Sequence, residues 1–281
     1  TYANWLYQHD QKPLAIELWK KSADVADKAA LLQIARVLGQ HGEHEVAFEI
    51  LHRRFDSLRQ DPMYLSSLID LSIKRRQYSE TIPWLLQLAG LCRTDLELES
   101  LIAQAILVHG SLENPQPLID GLRTKALESN LETHGGLPSV AAACVWSAII
   151  QARGDLTAAD EILAQFENRL ATAPDKSKAL ELLMSQRVRL LMLRQDWSGA
   201  ATAARLLAES TSGSPNVNFR RLVELYLRNE QPEEALAWVE RWKRRSPGQE
   251  LPWLTEAAVL SRLNRDDDAF RVLRQAVRRF P

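Results

Sequence analysis

Phe219-Arg220-Arg221-Leu222-Val223-Glu224-Leu225-Tyr226, followed by Gln231-Pro232-Glu233-Glu234-Ala235-Leu236-Ala237-Trp238-Val239, is written a second time. The copy is Trp253-Leu254-Thr255-Glu256-Ala257-Ala258-Val259-Leu260, followed by Arg265-Asp266-Asp267-Asp268-Ala269-Phe270-Arg271-Val272-Leu273. The two lie 34 residues apart within the stretch 216–281, and Pro247 and Pro281 close them at the same phase. In each, an apolar segment with helical spacing ends in a polar turn, and a second segment begins with acidic residues just before a small alanine. Acidic side chains suit a helix N-terminus, where unpaired amides carry partial positive charge. The unit is therefore a helical hairpin, and the rest of the chain reads as looser copies of it.

Followed backwards from Ala269, the small residue that opens each second helix recurs at Ala235, Ala200, Ala159, Thr81, Ala47 and Ala15, with spacings of 34, 35, 41, 78, 34 and 32. The gap of 78 holds two lengthened units, with Leu118 in the helix 117–127 as the missing marker. A small residue lets the two helices of a hairpin approach closely, where a bulky one would push them apart. Twelve residues before each marker the first helix should also be small or medium. There stand Ala3, Ala35, Ile69, Ser147, Val188, Val223 and Ala257. Trp19, Leu51, Leu85, Leu122, Leu163, Ala204, Val239 and Leu273 continue the apolar stripe one turn into the second helices. The turns between are polar, and Gly42 and Gly154 fit helix C-caps.

Composition agrees. Hydrophobic residues make up 46% of the 281, enough for a packed interior, while only 11 are glycine and β-branched runs are rare, which favours helix over sheet. Lys and Arg total 35 against 36 Asp and Glu, a balance that argues against general binding to nucleic acid or membrane surfaces. No segment approaches the roughly 18 apolar residues of a membrane span, and Thr1-Tyr2-Ala3-Asn4-Trp5 does not read as a signal peptide. Cys92 and Cys144 read as small buried hydrophobes and leave the compartment open.

Two stretches break the pattern. Asn130 to Pro138 holds a Gly pair and a Pro, and Thr211-Ser212-Gly213-Ser214-Pro215 is a shorter break of the same type. The expected organisation is an N-terminal sub-array, 1–130, whose first repeat is incomplete, a connection, 131–139, and a C-terminal sub-array, 140–281. Because the chain opens in mid-helix and closes without a polar capping helix, it reads as a piece of a longer array, or as one whose uncapped ends pair with another copy.

Reactive constellations are not written here. No Gly-rich phosphate loop, Gly-x-Ser-x-Gly elbow, His-Glu-x-x-His helix or Cys-x-x-Cys pair occurs, and no cofactor or metal is expected. His41 and His44, with Glu43 and Glu45, read as a polar turn before a metal site. Asp266-Asp267-Asp268 lacks calcium-loop spacing and sits where a helix N-terminus favours negative charge. Arg241, Lys243, Arg244 and Arg245, like Arg274, Arg278 and Arg279, fall at the ends of second helices, where cations complement the dipole. Trp19, Trp146, Trp238 and Trp253 fall on the apolar stripe, whereas Trp84 and Trp197 do not fit it cleanly.

The period and the pattern of Trp, Leu, small residue, Tyr, Ala, aromatic and closing Pro resemble the tetratricopeptide repeat. The resemblance is strong from about Asn216 onward and at Ala35 to Leu51, and weak between Asp95 and Asn130. It implies an all-α solenoid, a right-handed superhelix of antiparallel helix pairs, whose first helices line a concave groove that binds a protein partner. On that geometry the groove positions include Arg36, Asp70, Arg189, Arg220, Arg221, Glu224 and Arg228, and the Arg220, Arg221 and Arg228 group suits an acidic segment or the surface of an enzyme domain. The lysine and asparagine clamp of the chaperone-tail-binding subgroup is absent: Leu32 with Arg36, Ser66 with Asp70 and Ser185 with Arg189 stand there.

The resulting expectation is a non-enzymatic interaction scaffold that binds neither nucleic acid nor membrane directly; the alternative is a regulatory or substrate-contacting domain of a larger enzyme. The texture also resembles the arrays of bacterial exopolysaccharide export proteins, which recruit modifying enzymes. That likeness implies a periplasmic setting in preference to a cytoplasmic one and has no diagnostic motif.

Overall fold

A computed structural model describes residues 2–128, 136–173, 176–209 and 215–280. Among the described residues every regular element is helical and no strand occurs. In chain order the helices come in twos: α1 (Tyr2–Gln8) and α2 (Lys12–Val25), then α3 (Lys28–Gln40) and α4 (His44–His52). After the single turn α5 (Phe55–Leu58) come α6 (Pro62–Lys74) and α7 (Ile82–Leu91), then α8 (Asp95–Ser111) and α9 (Gln116–Glu128). The series continues with α10 (Leu137–Ala152) and α11 (Leu156–Leu170), α12 (Ser177–Leu193) and α13 (Trp197–Glu209), α14 (Pro215–Arg228) and α15 (Pro232–Arg245), and α16 (Leu251–Arg262) and α17 (Asp266–Arg279).

Partners touch in α1–α2, α3–α4, α6–α7, α12–α13, α14–α15 and α16–α17, and second helices pack on the next first helix in α4–α6, α7–α8, α11–α12, α13–α14 and α15–α16. The residues that set the period are the ones that vanish from solvent. Ala15, Ala47, Thr81, Leu118, Ala159, Ala200 and Ala235 are all 0% exposed. Ala3, Ala35, Ile69, Ser147, Val188, Val223 and Ala257 are buried as well. Leu118 lies in α9, and Thr81 ends a 3-10 turn, Ser79–Thr81, that leads into α7. The stripe holds through Val239; Leu273, at 37%, is its exception, on a helix that also exposes Phe270 and Val277.

The turns share a backbone device. Asp10, Gly42, Arg76, Gly154, Gln195, Glu230 and Asn264 take φ of 59°, 81°, 60°, 91°, 59°, 56° and 56°. Each stands five residues before the buried marker of its second helix. In six of the turns the next amide donates to the carbonyl five residues back: Gln11 to Leu6, Glu43 to Leu38, Gln77 to Ser72, Asp196 to Leu191, Gln231 to Tyr226 and Arg265 to Leu260, at 2.9–3.0 Å. This is the Schellman closure of a helix C-terminus, which satisfies an otherwise orphaned carbonyl and reverses the chain. The hairpin angle is thus set by main-chain bonds.

Two compact units divide the chain: Thr1–Ser129 with Ala141–Ala152, and Asn130–Val140 with Arg153–Pro281. The core of the first contains Leu31, Leu38, Leu51, Leu65, Leu68, Leu85 and Leu98, with Tyr64 wholly buried. The Tyr64 hydroxyl donates to the Leu51 carbonyl at 2.6 Å, and burial raises its pKa far above the ordinary tyrosine range. Asp61 caps α6 through the Tyr64 amide and pairs with Lys28 at 2.6 Å. In the second unit Trp242, 0% exposed, donates from its indole nitrogen to Asn216 at 2.8 Å. Arg187 joins Asp160 and Glu167 across α11 and α12, and Arg194 joins Asp160 too.

The expected connection 131–139 and the break 211–215 fall largely outside the described residues; where description resumes, Gly136 has φ 75° and α10 starts at Leu137.

Candidate functional site

Arg36 and Asp70 come from α3 and α6, the first helices of two successive hairpins, and line one open cleft of about 570 Å³. Helical spacing puts Gln33, Arg36 and Gln40 along the α3 wall and Met63, Ser67, Asp70 and Lys74 along the α6 wall. Its floor includes Leu32, Ala35, Gly39 and Leu71. A Cβ at Gly39 would make only ordinary contacts, 3.6 Å from Leu71 and 3.9 Å from the Lys74 ammonium. Met63 is 69% exposed, so the cleft offers an apolar side chain beside its charges.

Arg36 and Lys74 have no hydrogen-bond or ion-pair partner among the described residues, although other exposed cations such as Lys28 and Arg220 do. Lys74 ends α6, where its charge complements the helix dipole. Asp70 is engaged from behind. The amide nitrogen of Gln104, on α8, donates to the Asp70 carboxylate at 2.7 Å, the Ser66 hydroxyl at 2.9 Å and the Ser66 carbonyl at 3.1 Å. Gln104 is only 6% exposed, and its carbonyl oxygen is buried without a partner.

The expected residues of the second unit are more occupied. Arg220 pairs with Glu224 one turn along α14 at 3.0 Å, both side chains being exposed. Arg228 lays its guanidinium 5.2 Å from the centroid of Trp197. Arg189, half-buried on α12, donates to the Ser185 carbonyl at 3.3 Å. Arg221 is half-buried beside Arg220 and has no ion-pair partner among the described residues.

Several of the remaining candidates have structural partners. The His41 ring contacts Asn4 at 2.8 Å and lies tilted against Tyr7 with centroids 4.2 Å apart, whereas the His44 Nδ1 is buried without a hydrogen-bond partner among the described residues. Asp268 is held below the usual carboxylate range first by its hydrogen bond from Arg265. Lys243 pairs with Glu256 and lies 3.7 Å over Trp253, and Arg245 donates to the Ala208 carbonyl at 3.0 Å. Trp84, which the stripe left unexplained, meets Phe48, Phe55 and His52 at 6.0, 6.2 and 6.5 Å, so it fills space between adjacent hairpins.

Small or medium residues buried at matching positions of the paired helices, on a period near 34 in the regular repeats, decide the type of unit. The fold is tetratricopeptide-like. No family model and no curated protein matches the sequence. Among solved structures, a tetratricopeptide repeat protein from Parabacteroides merdae is similar at 12% identity and a TM-score of 0.36, over 89% of this chain and 92% of that one. Naa15, in its complex with Naa10 and HypK-THB, is similar at 13% identity and a TM-score of 0.42, over 92% of this chain and 38% of that one. The quorum sensor NprR from B. thuringiensis gives 12% and 0.39, over 98% and 95%. At these scores the likeness carries no argument about site or partner; the tetratricopeptide-like assignment stands on the hairpins themselves.

Sequence reasoning missed Lys74 on the cleft wall and Gln104 behind it. Lys74 follows Asp70 by four, so the same helical face signals it. Gln104 follows Asp70 by 34, the repeat length itself, in the stretch where the pattern is weakest.

Proposed function

We propose that the chain is a non-enzymatic interaction scaffold whose first helices hold an acidic segment of a partner protein. The observation that carries the reading is the open cleft between α3 and α6 with two unpaired cations, Arg36 and Lys74, beside exposed Met63. A carboxylate set between those cations gains charge-assisted hydrogen bonds, each stronger than a neutral one. An apolar neighbour covers Met63 and Leu32. Arg221, with Arg220 and Arg228 once released from their present partners, gives the second unit a site of the same sign. Bacterial exopolysaccharide export gains no support from the geometry, and the proposal does not extend to it.

The test is affinity capture with three baits: the chain as it stands, Arg36→Glu/Lys74→Glu, and Arg220→Glu/Arg221→Glu. Loss of a retained protein with the first variant supports the cleft, and loss with the second supports the α14 site. A partner kept by both variants overturns the proposal.

A further inference from the structure

Arg36, Asp70 and Gln104 occupy one position in three successive units, each 34 residues after the last. Their chemistry is cationic, anionic and neutral. The neutral member is 6% exposed and turned toward the anionic one, giving its amide hydrogens to Asp70 and Ser66. A buried glutamine with an orphaned carbonyl carries a desolvation cost, so its orientation toward Asp70 is a specified feature of the site. One Asp70 oxygen, Oδ1, accepts from Gln104 at 2.7 Å, while the residue itself stays exposed on the cleft wall. Gln104 therefore fixes the carboxylate and leaves acceptor capacity facing the cleft.

We infer that Gln104 and Asp70 make the cleft selective for an acidic segment that also carries a cationic or amide donor, with Gln104 as the positioning residue and Asp70 as the contact. The inference rests on the acidic-segment reading of the same cleft. A uniformly acidic segment satisfies Arg36 and Lys74 but meets Asp70 as a like charge. One arginine among its glutamates replaces that repulsion with a charge-assisted pair. The three positions then select a charge pattern, which net negative charge alone does not match.

Fluorescence anisotropy tests this with the 281-residue chain, a labelled peptide of alternating glutamate and leucine, and a set in which arginine replaces each glutamate in turn. At least one arginine member is expected to bind about tenfold tighter than the parent. Asp70→Asn, which keeps an oxygen for Gln104 at an exposed site, removes that preference and, by removing the like charge, tightens binding of the all-glutamate parent. Gln104→Leu weakens the preference in the same direction. If Arg36→Ala/Lys74→Ala abolishes binding but no arginine preference exists, or the preference survives Asp70→Asn, the selectivity is overturned and the acidic-segment reading stands. If no peptide binds, or binding ignores Arg36 and Lys74, both fall.

Discussion

Gln104 reaches back to Asp70 across 34 positions of sequence and meets its carboxylate at 2.7 Å. The same amide nitrogen serves both oxygens of Ser66, so one side chain latches α8 to α6. Gln104→Leu is expected to lower stability by about 1–2 kcal/mol, because hydrogen bonds to a charged acceptor are lost while relief of the orphaned carbonyl offsets part of the cost. Asp70→Ala, at an exposed site, costs less than about 1 kcal/mol. Urea unfolding of the two variants checks the order.

Ala200 and Ala235 are wholly enclosed between paired helices. Ala200→Trp and Ala235→Trp should each destabilise by about 1–3 kcal/mol or more through overpacking, whereas Asp267→Ala, in the first turn of α17, should cost less than about 1 kcal/mol. Thermal melts that show equal, negligible effects would refute the packing phase.

The shared turn makes a prediction of opposite sign. Arg76 and Gln195 hold left-handed backbone at φ 60° and 59° with side chains that disfavour it. Arg76→Gly and Gln195→Gly should each stabilise by about 0.5–1 kcal/mol, net of the added freedom of the unfolded chain. Gly154→Ala, at φ 91°, should destabilise by about 1 kcal/mol. Denaturant midpoints at constant slope report all three.

Glu45 and Glu49 are held below the ordinary glutamate range, the first chiefly by its hydrogen bond from Arg75 and the second by those from Lys20 and then Arg53. In the folded state they therefore bind protons less readily than in the unfolded state. Their contribution is present above the unfolded value of about 4.3 and is lost as pH falls through the lower folded values. Unfolding curves between pH 6 and pH 3 should show stability falling with acid. Arg75→Gln and Lys20→Met should reduce that fall by a small amount, as screened, exposed pairs require.

The hairpins were legible because close packing writes small residues at fixed intervals. Ala15, Ala47, Ala159, Ala200 and Ala235 could not be large, and the chain records that directly. The turn geometry was legible only at Gly42 and Gly154. At Asp10, Arg76, Gln195, Glu230 and Asn264 the same conformation is imposed by backbone hydrogen bonds, which leave little trace in side-chain identity. The cleft was half legible. Arg36 and Asp70 share a helix-face position by periodicity and line one cleft, but the pairing of Asp70 depends on Gln104 in the least regular unit. Trp242, the largest wholly buried side chain among the described residues, stayed hidden because it lies two turns beyond the marker Ala235 and one beyond the stripe residue Val239.

Cys92 and Cys144 are both buried, and burial pushes the Cys92 thiol up to about 12. At neutral pH the Cys92 thiol is almost wholly protonated, and neither cysteine presents its sulfur to a reagent in solution. The native molecule is therefore a quiet background for thiol labelling. A cysteine placed at exposed Glu230, in a turn closed by main-chain bonds, would be an accessible attachment point for a fluorophore or crosslinker. A second, on the α6 wall at Ser67, would report directly on what enters the cleft.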